Sequence, residues 1–238
     1  MRGTLLNTAT VVAGTAVGVV VGSGVPPVYQ DFAIHGIALV AFGVGIKMVI
    51  GTKNPLIVVA AMSLGGIIGL ALGLHHGVEE IAAWSQRQFG GHGRFAEGIV
   101  TSFVLFCVGP MTLLGCIEDG LEQKIDILSL KSTMDGISSF FLAAATGAGL
   151  FVTAVLLLIF QGVLTLAAKP LRPLAEHPSA MAEATSAGGA LLMATAIGML
   201  GIKDLYPTNY LPAIFLAPLF ALGAERFAAR RLAAKEPA

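Results

Sequence analysis

The residues best placed to do chemistry in this chain are those that interrupt helices. Gly109-Pro110 stands inside an apolar run, where proline supplies no N–H and clashes with the preceding turn. A second interruption, Gly147-Ala148-Gly149, follows 38 residues later. Inside a bilayer, backbone can leave the helix only where protein or water satisfies it. Paired breaks are the sequence mark of a binding site near the midplane. Hydroxyls surround both: Thr101, Ser102 and Thr112 near the first, Ser138, Ser139 and Thr146 near the second. Hydroxyls and freed carbonyls can coordinate a small cation, and a half-helix N-terminus can hold an anionic group. The expected substrate- or ion-binding set is therefore Thr101, Ser102, Gly109, Pro110, Thr112, Ser138, Ser139, Thr146, Gly147 and Gly149. The competing reading is small residues for close helix packing, with a proline kink repaired by neighbours.

Other polar residues invite a gating or contact role. Lys47 and Lys203 end two apolar runs, each followed by an asparagine, Asn54 and Asn209. A lysine at a helix end also snorkels to the interface without any further role. Asn7 makes the start of the first run unusually polar. Glu97 and Asp135 stand at the expected starts of two spans, where a carboxylate stabilises the positive end of the helix dipole. An ion- or proton-coupling role is the alternative for this pair. In the segment 75–80, His76 shares a helix face with Glu79 or Glu80, but no ligands from elsewhere are evident, so a solvated loop without metal is expected. Trp84 nearby suits an amphipathic segment at the interface. The stretch 118–134, rich in acids, reads as a surface hairpin or helix. Cys107 and Cys116 fall on opposite helix faces and pair with nothing. No cofactor fingerprint, nucleophile triad or metalloprotease signature occurs. No span carries an ionisable cluster at its centre, which argues against an enzyme and against a carboxylate proton relay.

The elements that must position these residues are membrane helices. Of 238 residues, 55% are hydrophobic and 12% charged, against about 25% charged in soluble domains. Mean hydropathy is +0.84. Net charge is zero with no basic stripe, which excludes nucleic acid as a partner. Spans of about 20 apolar residues fit 4–22, 33–50, 55–74, 98–117, 186–203 and 209–227. Residues 136–168 carry no charge over 33 positions, enough for two short spans with a turn near Thr153. Eight spans, with both termini cytoplasmic, put 11 Lys and Arg on one side and 3 on the other. Seven spans divide them almost evenly, so the positive-inside rule selects eight. The expected fold class is an all-α polytopic membrane bundle with eight transmembrane helices, seven being the alternative.

The chain also resembles itself. Gly45-Ile46-Lys47 matches Gly201-Ile202-Lys203, and Gly3-Thr4-Leu5 matches Gly162-Val163-Leu164 as openings of the first and sixth spans. Glu97-Gly98-Ile99 matches Asp135-Gly136-Ile137 at an offset of 38. Eight spans then form one membrane domain over 1–238 with two oppositely inserted repeats, about 1–117 and 134–228. Inverted repeats characterise secondary transporters. The expected function is alternating-access transport of a small solute or ion, with a passive channel or a non-transporting scaffold or sensor as alternatives. Beyond lipid and solute, the small scaffold points to a homodimer.

Several motifs resemble a known family. They are Gly3-Thr4-Leu5-Leu6-Asn7-Thr8, Thr52-Lys53-Asn54-Pro55-Leu56-Ile57, Glu97-Gly98-Ile99-Val100-Thr101, Phe106-Cys107-Val108-Gly109-Pro110-Met111, Glu118-Asp119-Gly120 and Asn209-Tyr210-Leu211-Pro212. Together they span nearly the whole chain and are similar to the YqgA/YdfK-like family, DUF554. The resemblance implies a multi-pass protein of the bacterial inner membrane and supplies no substrate. The family pattern has more charge between the first two spans, where this chain has only Asp31.

Overall fold

A computed structural model describes residues 1–89, 94–107 and 109–233. The described chain is helical, without strands: α1 (Arg2–Gly22), α2 (Pro27–Ile50), α3 (Pro55–Ala71), α4 (Leu74–Phe89), α5 (Phe95–Cys107), α6 (Pro110–Glu122), α7 (Asp126–Thr146), α8 (Leu150–Leu166), α9 (Ala168–Ala175), α10 (Pro178–Met199) and α11 (Ala213–Ala233), with a 3-10 turn at Pro207–Tyr210. Pro27, Pro55 and Pro178 open α2, α3 and α10, where a missing N–H costs nothing.

Four segments are long and apolar enough to cross a membrane: α1, α2, α10 and the 3-10 turn with α11. Three bent pairs bring the total to seven: α3 with α4 (51°), α5 with α6 (62°) and α8 with α9 (79°). The bend between α5 and α6 falls at Gly109-Pro110, as the sequence predicts. The helix α7 has span length but carries Asp126, Lys131 and Asp135 and is not in this set.

One sequence expectation changes here and another is extended. The turn inside 136–168 lies at Gly147–Gly149, not at Thr153, which is buried within α8. Gly147 has φ +87°, a left-handed conformation that stops α7 and that only glycine adopts freely. The segment 118–134 is a helical hairpin at the surface, exposed through its turn at 120–124, but it also has a buried face. It holds the end of α6 and the first turns of α7, and Asp119 and Lys131 within it are buried.

Small residues set the helix packing. A Cβ on Gly14, Gly18 or Gly22 of α1 would stand 2.2, 2.3 or 2.2 Å from the carbonyl oxygens of Gly136, Phe140 and Ala144 on α7. The two helices therefore run side by side in the same direction, backbone against backbone. Gly45 of α2 and Gly189 of α10 approach each other in the same way, antiparallel, and Ser186 Oγ donates to Met48 O at 3.1 Å. Gly65 of α3 receives Ala213 at the start of α11, and Gly69 receives Asn209 of the 3-10 turn before it. On the remaining flank, Ser102 of α5 shares a 2.7 Å hydrogen bond with Thr153 of α8, and Gly120 of α6 meets Thr165 further along.

The buried Asp119 carboxylate accepts from the backbone N–H groups of Arg2 (3.2 Å) and Gly3 (3.0 Å), so it caps α1 from α6. Asp119→Ala should cost about 1–3 kcal/mol, the range for a lost charged hydrogen-bonding partner. Thermal melting of the purified protein in detergent would show it; an unchanged melting temperature would mean that water caps α1 equally well.

Candidate functional site

A cleft of about 630 Å³ runs along α2, between it and α7, and reaches α5, α6 and α10. Its lining is mostly apolar, from Ile37, Val40 and Val44 of α2 to Phe141 of α7 and Leu192 of α10. Four polar residues enter it: Thr112, Lys131, Asp135 and Ser138. Gly109 joins them at the helix break. Its backbone (φ +133°, ψ 158°) caps α6 without any side-chain cap, so the positive end of α6 faces the cleft. Thr112 Oγ1 donates to Phe106 O at 3.3 Å, bridging the break and holding a carbonyl that α5 leaves unpaired.

Lys131 and Asp135 are 5% and 7% exposed and form an ion pair one turn apart on α7. Asn7 Nδ2 of α1 donates to the same carboxylate oxygen, Oδ2, at 2.9 Å. This overturns two expectations. Asp135 does not cap a helix; it stands more than two turns inside α7. The interior does hold an ionisable cluster, and such a cluster is a functional-site candidate by default. Sequence reasoning missed Lys131 because its neighbours are acids and small polar residues, which read as surface.

The remaining candidates scatter. Ser139 is buried but bonds Val11 O of α1 at 3.2 Å, and Ser102 is committed to Thr153. Thr146 bonds its own helix at Leu142 O and packs beside Gly98, away from the cleft. Gly147 and Gly149 form the α7–α8 turn, beside Phe95 at the start of α5. They separate two helices and do not line the cleft that Gly109 joins. Pro110 opens α6, and its side chain lies outside the described residues. Of the gating set, Asn7 binds Asp135, while Lys47 and Lys203 are exposed at opposite ends of the α2–α10 pair. Asn54 caps α3 through Leu56 N (3.2 Å), and Asn209 accepts from His75 N (3.0 Å) at the start of α4.

A second cavity, about 600 Å³, is more polar. It lies where α5 begins and α10 finishes, with His75, Glu79, Arg94, Glu97, Thr101 and Thr195 in its lining. Glu97 is in the first turn of α5 and chelates Arg94, with Nε–Oε2 at 2.6 Å; Arg94 also reaches Asp31 at 2.9 Å. The hydrogen bond to Glu97, ahead of the attraction of Asp31, holds the guanidinium above its ordinary value. His75 is not in a solvated loop. It is buried in α4, with Nδ1 2.7 Å from Thr208 Oγ1 and its ring edge-on to Tyr206. No group of three or more metal-ligating side chains occurs among the described residues. On α5 the polar cavity ends at Thr101 and the apolar cleft begins at Leu105; on α10 the cavity reaches Ala194 and the cleft reaches Leu192. The two linings are one helical turn apart on α5 and only two positions apart on α10.

An all-helical chain with up to seven apolar spans and charged groups folded inward is a multi-pass membrane protein. The chain belongs to the family described as "Protein of unknown function (DUF554)", which matches residues 2–222. It is 32% identical over 233 residues to the uncharacterized protein YqgA of Escherichia coli (strain K12), covering 95% of this chain and 99% of that one. It is 28% identical over 223 residues to the uncharacterized membrane protein YdfK of Bacillus subtilis (strain 168), covering 92% and 95%. The family resemblance read from the motifs therefore holds. No solved structure matches the chain.

Proposed function

We propose that the protein is a secondary transporter of a small solute, working by alternating access, with its site at the α5–α6 break. One observation carries this reading. Two cavities of similar size stand next to each other along α5 and α10, at most one turn apart, with the interrupted helix on the side of the ionic cluster. A carrier needs two access routes that meet at one site behind a thin barrier, and Leu105 and Leu192 line the cleft on the two helices that both cavities share.

Eight spans follow if α7 is counted, because its Lys131 and Asp135 face the bundle and not the lipid. An inverted repeat then relates α1, α2, α3 and α7 to α8, α10, α11 and the α5–α6 pair. Directions and packing support it. The neighbours α1 and α7 run the same way, as do α8 and α5–α6, whereas α2 opposes α10 and α3 opposes α11. The contact of α10 with α11 has no α2–α3 counterpart of similar extent. The residue registers read from sequence do not serve. Gly3 opens α1 whereas Gly162 lies near the end of α8, and both are at the same end of the bundle. With eight spans both termini share the end rich in Lys and Arg, hence the cytoplasmic side of a bacterial inner membrane. A homodimer in lipid, acting as a carrier and not as an enzyme, completes the reading.

A thermal-shift screen of small solutes on purified protein tests it. A stabilising solute should lose its effect with Thr112→Val and with Gly109→Ala, the latter because alanine is strained at φ +133°. Stabilisation that survives both substitutions puts the site elsewhere. A bound solute that never crosses proteoliposome membranes removes the carrier reading in favour of a scaffold or sensor.

A further inference from the structure

The Asn7–Asp135 contact is half of a larger arrangement. Asn7 is fully buried, and its Nδ2 donates to Asp135 Oδ2, which fixes the amide orientation because a carboxylate only accepts. Asn7 Oδ1 is then left buried without a partner. Such an acceptor costs free energy until something donates to it. A carboxamide beside a carboxylic acid makes two complementary bonds, amide N–H to carboxyl oxygen and carboxyl O–H to amide oxygen. Here the first bond exists. The second requires a proton on Asp135, since an ionised carboxylate has none to donate.

Protonation also changes Lys131. Its ammonium is paired with Asp135 Oδ2, lines the cleft, and shares it with the uncapped start of α6 at Gly109. Once Asp135 is neutral, the ammonium has no counter-charge. The other faces of the pair offer none. The helices α5 and α6 present the thiols of Cys107 and Cys116, and Asp119 of α6 is already paired with the N-terminal ammonium of Met1 (2.9 Å) and the N–H groups of α1. The helices α2 and α10 contribute apolar lining. On α8, the neutral Gln161 stands one turn from Thr165, as Asn7 stands one turn from Thr4 across the Thr4–Thr165 hydrogen bond. Gln161 too is fully buried, with both amide atoms unpartnered.

The geometry points to a cotransport site in which Asp135 takes up a proton while Lys131 and the start of α6 receive a monoanion with an apolar body. This rests on the carrier reading and names its cargo class and coupling. The charges balance: the carboxylate becomes a carboxylic acid, the proton comes from water, and the anion replaces Asp135 beside the ammonium. An anion alone would leave the apolar cleft negative, and a proton alone would strand the ammonium. Each removes the other's cost, so they load together. Ile37, Val40, Val44, Phe141 and Leu192 supply the apolar surface, and the cleft volume suits a small organic ligand.

The test uses the full-length protein in lipid with octanoate carrying a ¹³C carboxyl, so that ligand and protein carbonyl bands separate in infrared difference spectra. Adding octanoate to wild type should produce an unlabelled protonated-carboxyl band. That band should vanish in Asp135→Asn, move to higher frequency in Asn7→Leu, and remain in the control Glu97→Gln. A pH indicator should record about one proton taken up per octanoate bound, a readout on wild type that does not depend on any variant folding. Lys131→Gln should abolish octanoate binding. A band that persists in Asp135→Asn, binding without proton uptake, or no octanoate binding each overturns the inference. Octanoate flux without proton uptake leaves the carrier reading standing. Coupled proton and octanoate binding without flux leaves the site standing and removes the carrier.

Discussion

Gly18→Leu should leave α1 unable to seat, with a melting temperature lower by about 6–12 °C and a poor yield of monodisperse protein. The Cβ of any residue at this position would meet Phe140 O at 2.3 Å and Ala143 Cβ at 3.0 Å. Neither is the flexible end of a side chain. One of the two helices must move, and that strains the contacts of Gly14 and Gly22 one turn either side. Overpacking of this kind costs about 1–3 kcal/mol where side chains can adjust, and backbone contact puts Gly18 at the top of that range. About 3 kcal/mol corresponds to the stated drop for a domain of this size. The displacement also pulls Asn7 from Asp135, since both belong to the same helix pair. Gly43→Leu on the open face of α2 is the control. Nothing lies within 4 Å of its Cβ position, so its melting curve should match wild type. Equal melting temperatures for Gly18→Leu and Gly43→Leu would show that the α1–α7 contact does not depend on close backbone approach.

The helix break was readable because proline acts locally: Gly109-Pro110 ends one helix and starts the next whatever surrounds it. Pro55 likewise opens α3 where the sequence puts the third span, whereas α2 and α10 start at Pro27 and Pro178, ahead of the spans expected from 33 and 186. The glycine pair at 147–149 was visible as a break, but whether a break divides a span or joins two spans depends on where the flanking helices go. Burial of polar residues is still less local. Asp135 and Lys131 resemble their exposed acidic neighbours until α1 lies alongside, and the residue that identifies the site, Asn7, comes from 128 positions earlier. The contact of Gly14, Gly18 and Gly22 with α7 was not legible, because small residues abound in every span and the spacing does not name a partner.

Glu183 is the sharpest case of a role set by distant partners, and it gives the second large expected effect. It is 1% exposed in α10, a charged residue in a span whose neighbours are mostly alanine and glycine. Its Oε1 accepts from the backbone N–H groups of Lys53 and Asn54, both at 2.8 Å, and its Oε2 accepts from Thr52 Oγ1 at 2.5 Å. One carboxylate therefore ties down the turn between α2 and α3, while Asn54 caps α3 itself. Glu183→Ala strands all three donors. At about 1.5–3 kcal/mol for each hydrogen bond to a charged group, and with water able to reach part of the turn, the loss should be at least about 3 kcal/mol, visible as a melting shift as large as that of Gly18→Leu. Glu183→Gln should be far milder. The amide oxygen can keep both backbone bonds on the Oε1 side, and the amide N–H can donate to Thr52 Oγ1 in place of the bond it formerly gave, so only charge assistance disappears, about 1 kcal/mol. The ratio of the two effects separates a clamp from a coupling group. A clamp tolerates glutamine in both stability and solute uptake; a carboxylate that must carry a proton or ion loses uptake with glutamine while the fold survives. The geometry requires the first pattern, because both oxygens of Glu183 are already committed to the turn, whereas Asp135 keeps both of its bonds on one oxygen at the wall of the cleft.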